Sequence, residues 1–189
     1  MSISVLPAAE VPWADLQAVF GERGEPHRCQ CQYFKTTGRG WAAGPVEERR
    51  ARLRAEPNGL VALVDGEPAG WCAVEPRPAY RRLLAARIPW TGRAEDRDDE
   101  DVWAVPCFVT RTGFRRRGVG RALASAAVDY ARDRGARAVE GYPLVTEPGQ
   151  PPASTAELYV GTHGMFAAAG FAEVSRPTPR RAVMRVDFS

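Results

Sequence analysis

The chain has 189 residues, of which 44% are hydrophobic and 26% charged, and its formal net charge is +3. That is the balance of an ordinary globular protein, long enough to bury a core, and the small charge excess argues against a protein that lives on nucleic acid. No apolar run approaches the roughly 18–20 residues of a membrane span, so no membrane partner is expected.

The opening residues, "MSISVLPAAEVPW", lack the charged and apolar regions of a signal peptide, so a cytoplasmic location is expected. The four cysteines, Cys29, Cys31, Cys72 and Cys107, are then expected to be thiols. Ser2 to Leu6 alternate as a strand does, and "VPWADLQAVFG" reads as a short helix ended by Gly21. "ERGEPHRCQCQYFKTTGRGW" is irregular and turn-rich, and "GPVEERRARLRAEP" has helical composition between two prolines. "GLVALVDGEPAGWCAVEP" predicts a hairpin, with two apolar runs around Asp65-Gly66.

"PAYRRLLAARIPW" reads as a short helix, and the acidic segment "AEDRDDED" after it as a mobile loop. "DVWAVPCFVT" is an apolar run of strand length with Pro106 inside it. Proline cannot donate to a ladder, so the central strand should bulge or splay there. The helix after "RRRGVG" puts Val119, Ala122, Leu123, Ala126 and Tyr130 on one face, and Gly135 ends it. A strand "ARAVEGYP", a proline-rich loop, a glycine-weakened helix "AELYVGTHGMFAAAG" and two strands, "FAEVSR" and "RAVMRVDF", complete the chain. No repeat and no linker divides it, so residues 1–189 are expected to form one α/β domain with a mixed sheet.

The stretch "FRRRGVGRAL" is the strongest local signal. A helix start offers unpaired N–H groups and a partial positive charge; glycines let a ligand approach, and arginines add charge-assisted bonds. Together they make a phosphate cradle. The spacing Arg115-x-x-Gly118-x-Gly120 is neither a dinucleotide fingerprint nor a P-loop. A nucleic-acid patch is disfavoured because no aromatics interleave with the arginines.

These residues resemble the pyrophosphate loop of the GNAT superfamily of acetyl-CoA-dependent N-acetyltransferases, Arg/Gln-x-x-Gly-x-Gly/Ala. The order of a splayed strand, helix, strand and helix, with Gly170-Phe171 before the last strands, extends the likeness. The resemblance implies a twisted, mostly antiparallel sheet of six to seven strands, splayed at the central strand and flanked by helices. It implies that acetyl-CoA is the co-substrate, held by Arg115, Arg116, Arg117, Gly118, Val119, Gly120 and Arg121. The open edge of Cys107, Phe108 and Val109 would pair with the pantetheine arm, and an N–H near Phe108 would polarise the thioester carbonyl. The acceptor would be a small-molecule amine or a protein N-terminus, without nucleic acid, and a homodimer is a family habit. "GWCAVEPR", "VEGYP" and the Cys29-x-Cys31 segment resemble an uncharacterised subgroup with no known substrate.

Where many members carry the tyrosine that protonates the departing thiolate, this sequence has Phe166, which is expected to pack on the cofactor arm. Tyr159 and His163, read as lying on one helix, are substitute acids, and Tyr142 is a third. Glu140, Glu75 and Asp99 to Asp101 are candidate bases. A thiol with a pKa of about 8.5 leaves without strong acid help, and an α-amine near 7.7–8.0 needs little base, so an acceptor amine of low pKa fits best. His27-x-Cys29-x-Cys31 lacks the second ligand pair of a zinc knuckle, and no metal is expected. A non-catalytic acyl-CoA sensor and a nucleic-acid-associated protein are the alternative functions.

Overall fold

The computed structural model describes residues 1–38, 41 and 43–189. The irregular stretch therefore includes Arg39 and Gly40, which lie outside the described residues, as does Ala42. The elements run β1 (Ile3–Pro7), α1 (Trp13–Phe20), α2 (Gly24–Cys29), α3 (Val46–Ala55), β2 (Gly59–Val64), β3 (Glu67–Ala73) and β4 (Glu75–Pro76). They continue as α4 (Arg81–Ala85), β5 (Val102–Ala104), β6 (Phe108–Thr110), α5 (Val119–Arg132), β7 (Ala138–Gly141), α6 (Thr155–Leu158), α7 (His163–Ala168), β8 (Ala172–Thr178) and β9 (Arg181–Asp187).

Two sheets form, in the orders β1-β2-β3-β6 and β4-β5-β7-β9-β8. The broken strands β3–β4 and β5–β6 run from one sheet into the other, so the path has seven strand positions. All neighbouring pairs are antiparallel except β5 and β7. The predicted hairpin turns at Asp65-Gly66, both with positive φ.

Pro106 marks the point where the central strand changes sheets. Val105 N–H donates to the Glu140 carbonyl in one sheet, while the Cys107 carbonyl accepts from Ala73 N–H in the other. Ala104, Cys107 and Val109 face the core under α1, whereas Val105 and Phe108 face the core under α5 and α7. Strict alternation would put residue 104 with 108, so the prolyl segment inserts one extra residue and splays the strand. The cleft described below opens on the α1 side of this splay.

Two expectations change. The acidic segment before β5 is laced by arginines: Glu95 pairs with Arg77, Arg93 and Arg185, and Asp99 with Arg137. The glycine-weakened helix is two short helices, α6 and α7, broken at Gly161, whose φ of +77° disfavours any side chain. A Cβ there would stand 2.5 Å from Met165 Cε. Tyr159 and His163 thus share no helix.

Candidate active site

The 14-residue helix α5 begins without a side-chain cap. Gly118, at φ +84°, turns the chain into it, and the preceding Arg116 is also left-handed at φ +60°. Among the described residues the N–H groups of Val119, Gly120 and Arg121 donate to no carbonyl outside the helix, and their place in its first turn leaves them none within it. Arg115, Arg116, Arg117 and Arg121 are exposed and pair with no carboxylate among the described residues; Arg117 lies 5.5 Å from the Phe114 ring centroid. Open amides, a helix dipole and flanking arginines that pair with no carboxylate among the described residues come together in sequence at the helix start, the chemistry that suits a bound phosphate. Gly120 also sets the packing behind the cradle. Its missing Cβ leaves room for Met165, whose Sδ would be 2.7 Å away, so α7 packs closely on α5.

Beside the cradle, β6 pairs with β3 along one edge. Cys107, Val109 and Arg111 direct their backbone groups at β3, as the Ala73–Cys107 and Arg111–Ala69 bonds fix. Phe108 and Thr110 therefore direct theirs into the splay. The Phe108 N–H is engaged already: it donates to the Tyr159 carbonyl at 2.6 Å. Thr110 N–H and the Phe108 carbonyl have no backbone partner among the described residues. The expected edge of Cys107, Phe108 and Val109 is thus mainly an edge of Phe108 and Thr110, and a segment of the chain covers part of it.

Phe166 is fully buried on the opposite face, edge-on to Phe108 at 5.5 Å and to Phe171 at 4.9 Å. A Cβ on Gly141 would come within 2.2 Å of it. Its ring fills the space under the splay.

On the α1 side lies a cleft of about 870 Å³. Tyr33, Phe34 and Trp41 wall it, Cys107 and Val109 form part of its floor, and Tyr142, Tyr159 and Arg181 line the side towards β9. Of the acid and base candidates, Tyr159 and Tyr142 line it, and the Tyr142 hydroxyl is already committed to Glu140 at 3.0 Å, which leaves Tyr159. Burial, with Glu25 nearby, pushes the Tyr159 phenol above its ordinary value, so it keeps its proton at neutral pH.

The other candidates sit elsewhere. Glu140 is fully buried beneath β5, where its carboxylate accepts from Arg77 (3.3 Å), Arg185 (2.7 Å), Arg93 and the Tyr142 hydroxyl (3.0 Å). Both of its oxygens are taken by these donors, and it does not line the cleft. Glu75 is also buried, bound by Lys35 at 2.6 Å and Asn58 at 2.8 Å. His163 pairs with Glu173 at 2.9 Å, away from the cleft. Asp99 is tied to Arg137.

Three thiols border the cleft: Cys29, Cys31 and Cys107. Cys31 Sγ accepts from Trp71 Nε1 at 3.2 Å. Hydrogen bonding between the Cys31 and Cys107 thiols lowers the pKa of the first and raises that of the second, and burial lifts Cys29 to about 11. His27 Nδ1 lies 2.9 Å from the Gly21 carbonyl, and no group of three His, Cys, Asp or Glu residues able to hold a metal is found among the described residues. Nor is any helix among them long and apolar enough to cross a membrane.

The sequence model of the Acetyltransferase (GNAT) family matches residues 25–153. No curated protein matches the chain. Among solved structures, a GCN5-related N-acetyltransferase from Kribbella flavida is 19% identical, with 98% of each chain covered and a TM-score of 0.56. YncA of Salmonella typhimurium, solved with acetyl-CoA, is 13% identical over 99% of this chain and 94% of its own, with a TM-score of 0.55. A ribosomal-protein-alanine N-acetyltransferase from Brucella melitensis is 15% identical with 100% of both chains covered and a TM-score of 0.51. At these identities the likeness is one of fold. The match to the family model over most of the chain, together with the splayed strand and the arginine-glycine helix start, places this protein in the GNAT family of acetyltransferases.

Proposed function

We propose that the protein moves an acetyl group from acetyl-CoA directly to a primary amine, borne by a small molecule or a protein N-terminus, in the cytoplasm. The observation that carries this reading is the uncapped start of α5, with its free amides and four unpaired arginines, set beside a strand that splays. Val119, Gly120 and Arg121 amides and the flanking arginines would hold the pyrophosphate. Phe108 and Thr110 would meet the arm along the splay, and the cleft beyond Cys107 would receive the amine.

Tyr159 is the acid in this scheme. The amine attacks the thioester carbonyl, the carbon–sulfur bond breaks, and the departing thiolate takes the phenolic proton. Glu140 and Glu75 act structurally in this reading, Glu140 held by three arginines and Tyr142 and Glu75 by Lys35 and Asn58, and neither lines the cleft. Without a dedicated base, the amine must lose its proton to water, which favours an acceptor of low pKa.

Calorimetry of acetyl-CoA binding tests the reading, run beside an Arg115→Glu/Arg117→Glu double variant. These side chains are exposed and pair with no carboxylate among the described residues, so the variant should fold. Two charge-assisted contacts are worth about 1.5–3 kcal/mol each, so the variant should bind at least about 100-fold more weakly. No binding by the unmodified protein would overturn the proposal.

A further inference from the structure

The cleft contains a cation that the transfer chemistry does not use. Arg181 begins β9 and lines the cleft beside Tyr142 and Tyr159. Its Nη2 donates to the Tyr142 carbonyl at 2.9 Å. Its Nε is buried with no hydrogen-bond partner, and no carboxylate among the described residues lies within salt-bridge distance. Burial lowers its pKa, the mark of a positive charge short of compensation.

The neighbouring arginines differ. Arg82 donates to the carbonyls of Tyr33 and Gly38 and stacks on the Tyr33 ring at 4.1 Å. Arg180 holds Glu157 at 3.1 Å and the Pro151 carbonyl at 3.0 Å. Glu157, fixed by Ser154 and held by Arg180, offsets part of the Arg181 charge from a distance but does not pair with it. Partly buried arginines are ordinarily paired, because a desolvated guanidinium without an anion is costly. A guanidinium that lines an open cleft is suited to a carboxylate. The same cleft is lined by the aromatic rings of Tyr33, Phe34 and Trp41.

We infer that Arg181 is the carboxylate-binding residue of the acceptor site, and that the acceptor is an α-amino acid with an apolar or aromatic side chain. This rests on the acetyltransferase reading above and narrows it: the carboxylate sits on Arg181, the side chain lies against the aromatic wall, and the α-amine is left beside Tyr159. The α-amine of a free amino acid is more basic than a peptide N-terminus but less so than a lysine or simple alkyl amine, so it goes part of the way towards the nucleophile of low pKa that transfer without a dedicated base favours.

The test pairs each amino acid with its decarboxylated amine: L-phenylalanine with phenethylamine, L-tyrosine with tyramine, L-tryptophan with tryptamine. Thiol release from acetyl-CoA gives kcat/KM, and calorimetry gives binding with and without coenzyme A. At least one amino acid should exceed its amine by about 10- to 100-fold, the effect of a charge-assisted contact. Arg181→Met should erase that preference mainly through KM while leaving acetyl-CoA affinity unchanged, and Arg181→Lys should restore part of it. Equal or better use of the amines, an unaltered preference in Arg181→Met, or no binding of any amino acid to protein that does bind acetyl-CoA would overturn the inference. Failure to bind acetyl-CoA would strike the acetyltransferase reading instead. Amino-acid binding that is lost in Arg181→Met would then still sustain the carboxylate site.

Discussion

Replacing Glu140 by Gln separates a structural carboxylate from a catalytic one. Glutamine keeps the shape but turns one acceptor oxygen into a donor. Oε1 of Glu140 faces Arg93 and Arg185, and Oε2 faces Arg77, Arg93 and Tyr142. Either orientation of the amide therefore sets an N–H₂ against at least two guanidinium donors. The three arginines also lose the one carboxylate they all reach that is fully buried, leaving them Glu95, which is 34% exposed, and Arg185 also Asp187, which is more exposed still. Breaking a buried ion pair costs about 3–5 kcal/mol. For a domain of this size that corresponds to a melting temperature lower by roughly 6–20 °C. Urea unfolding at pH 7 reads the free energy, and acetyl-CoA calorimetry on the folded fraction should give an affinity within about twofold of the parent. A loss below about 1 kcal/mol, or full stability with turnover abolished, would refute the structural assignment and return Glu140 to the reaction.

Tyr159→Phe should lower kcat by about 10²-fold, the usual worth of a positioned acid, with acetyl-CoA affinity unchanged because the backbone carbonyl to Phe108 remains. Since burial raises that phenol above its ordinary value, kcat of the parent should show no alkaline loss from this group below about pH 10. Glu95 gives the acid-side prediction. Burial opposes its ionisation, but Arg93, Arg185 and Arg77 together hold its carboxyl below the usual range. A depressed folded value means that its contribution is complete above the unfolded value of about 4.3 and is lost as pH falls through the folded one. Urea midpoints of Glu95→Gln and the parent should therefore differ at pH 7 and begin to converge only as pH falls below the unfolded value of about 4.3; a constant gap would contradict the pairing.

The hairpin, the bulged strand and the helix start are legible in the sequence because each depends on local chemistry: alternation around Asp65-Gly66, a proline in an apolar run, glycine at a helix entrance. The acidic segment reads as a mobile loop because what fixes it is remote. Glu95 meets Arg185 across 90 positions, and Glu140 meets Arg77 across 63. No pattern in sequence announces such a cluster. The break before α7 is hidden for another reason. Two glycines in a helical composition signal weakness, but only packing against Met165 and Phe166 decides that Gly161 takes the left-handed turn. Which residues of β6 face the splay is a matter of parity, and parity is lost at the inserted residue. Arg181 carries no local mark; its neighbours Arg180 and Arg185 are paired, and only the fold tells the three apart.

The bond between Phe108 and Tyr159 makes one proton a reporter on the seam between the two sheets. In the proposed reading, an arm entering the splay would need the donor that Tyr159 now holds, so loading would be an exchange of one acceptor for another rather than the filling of a void. The same segment carries the phenol, so the exchange would move the acid as the thioester arrives. In a proton–nitrogen spectrum the Phe108 amide would then be the resonance to watch: slow to exchange with solvent in the free protein, and displaced at the coenzyme concentration at which the seam opens.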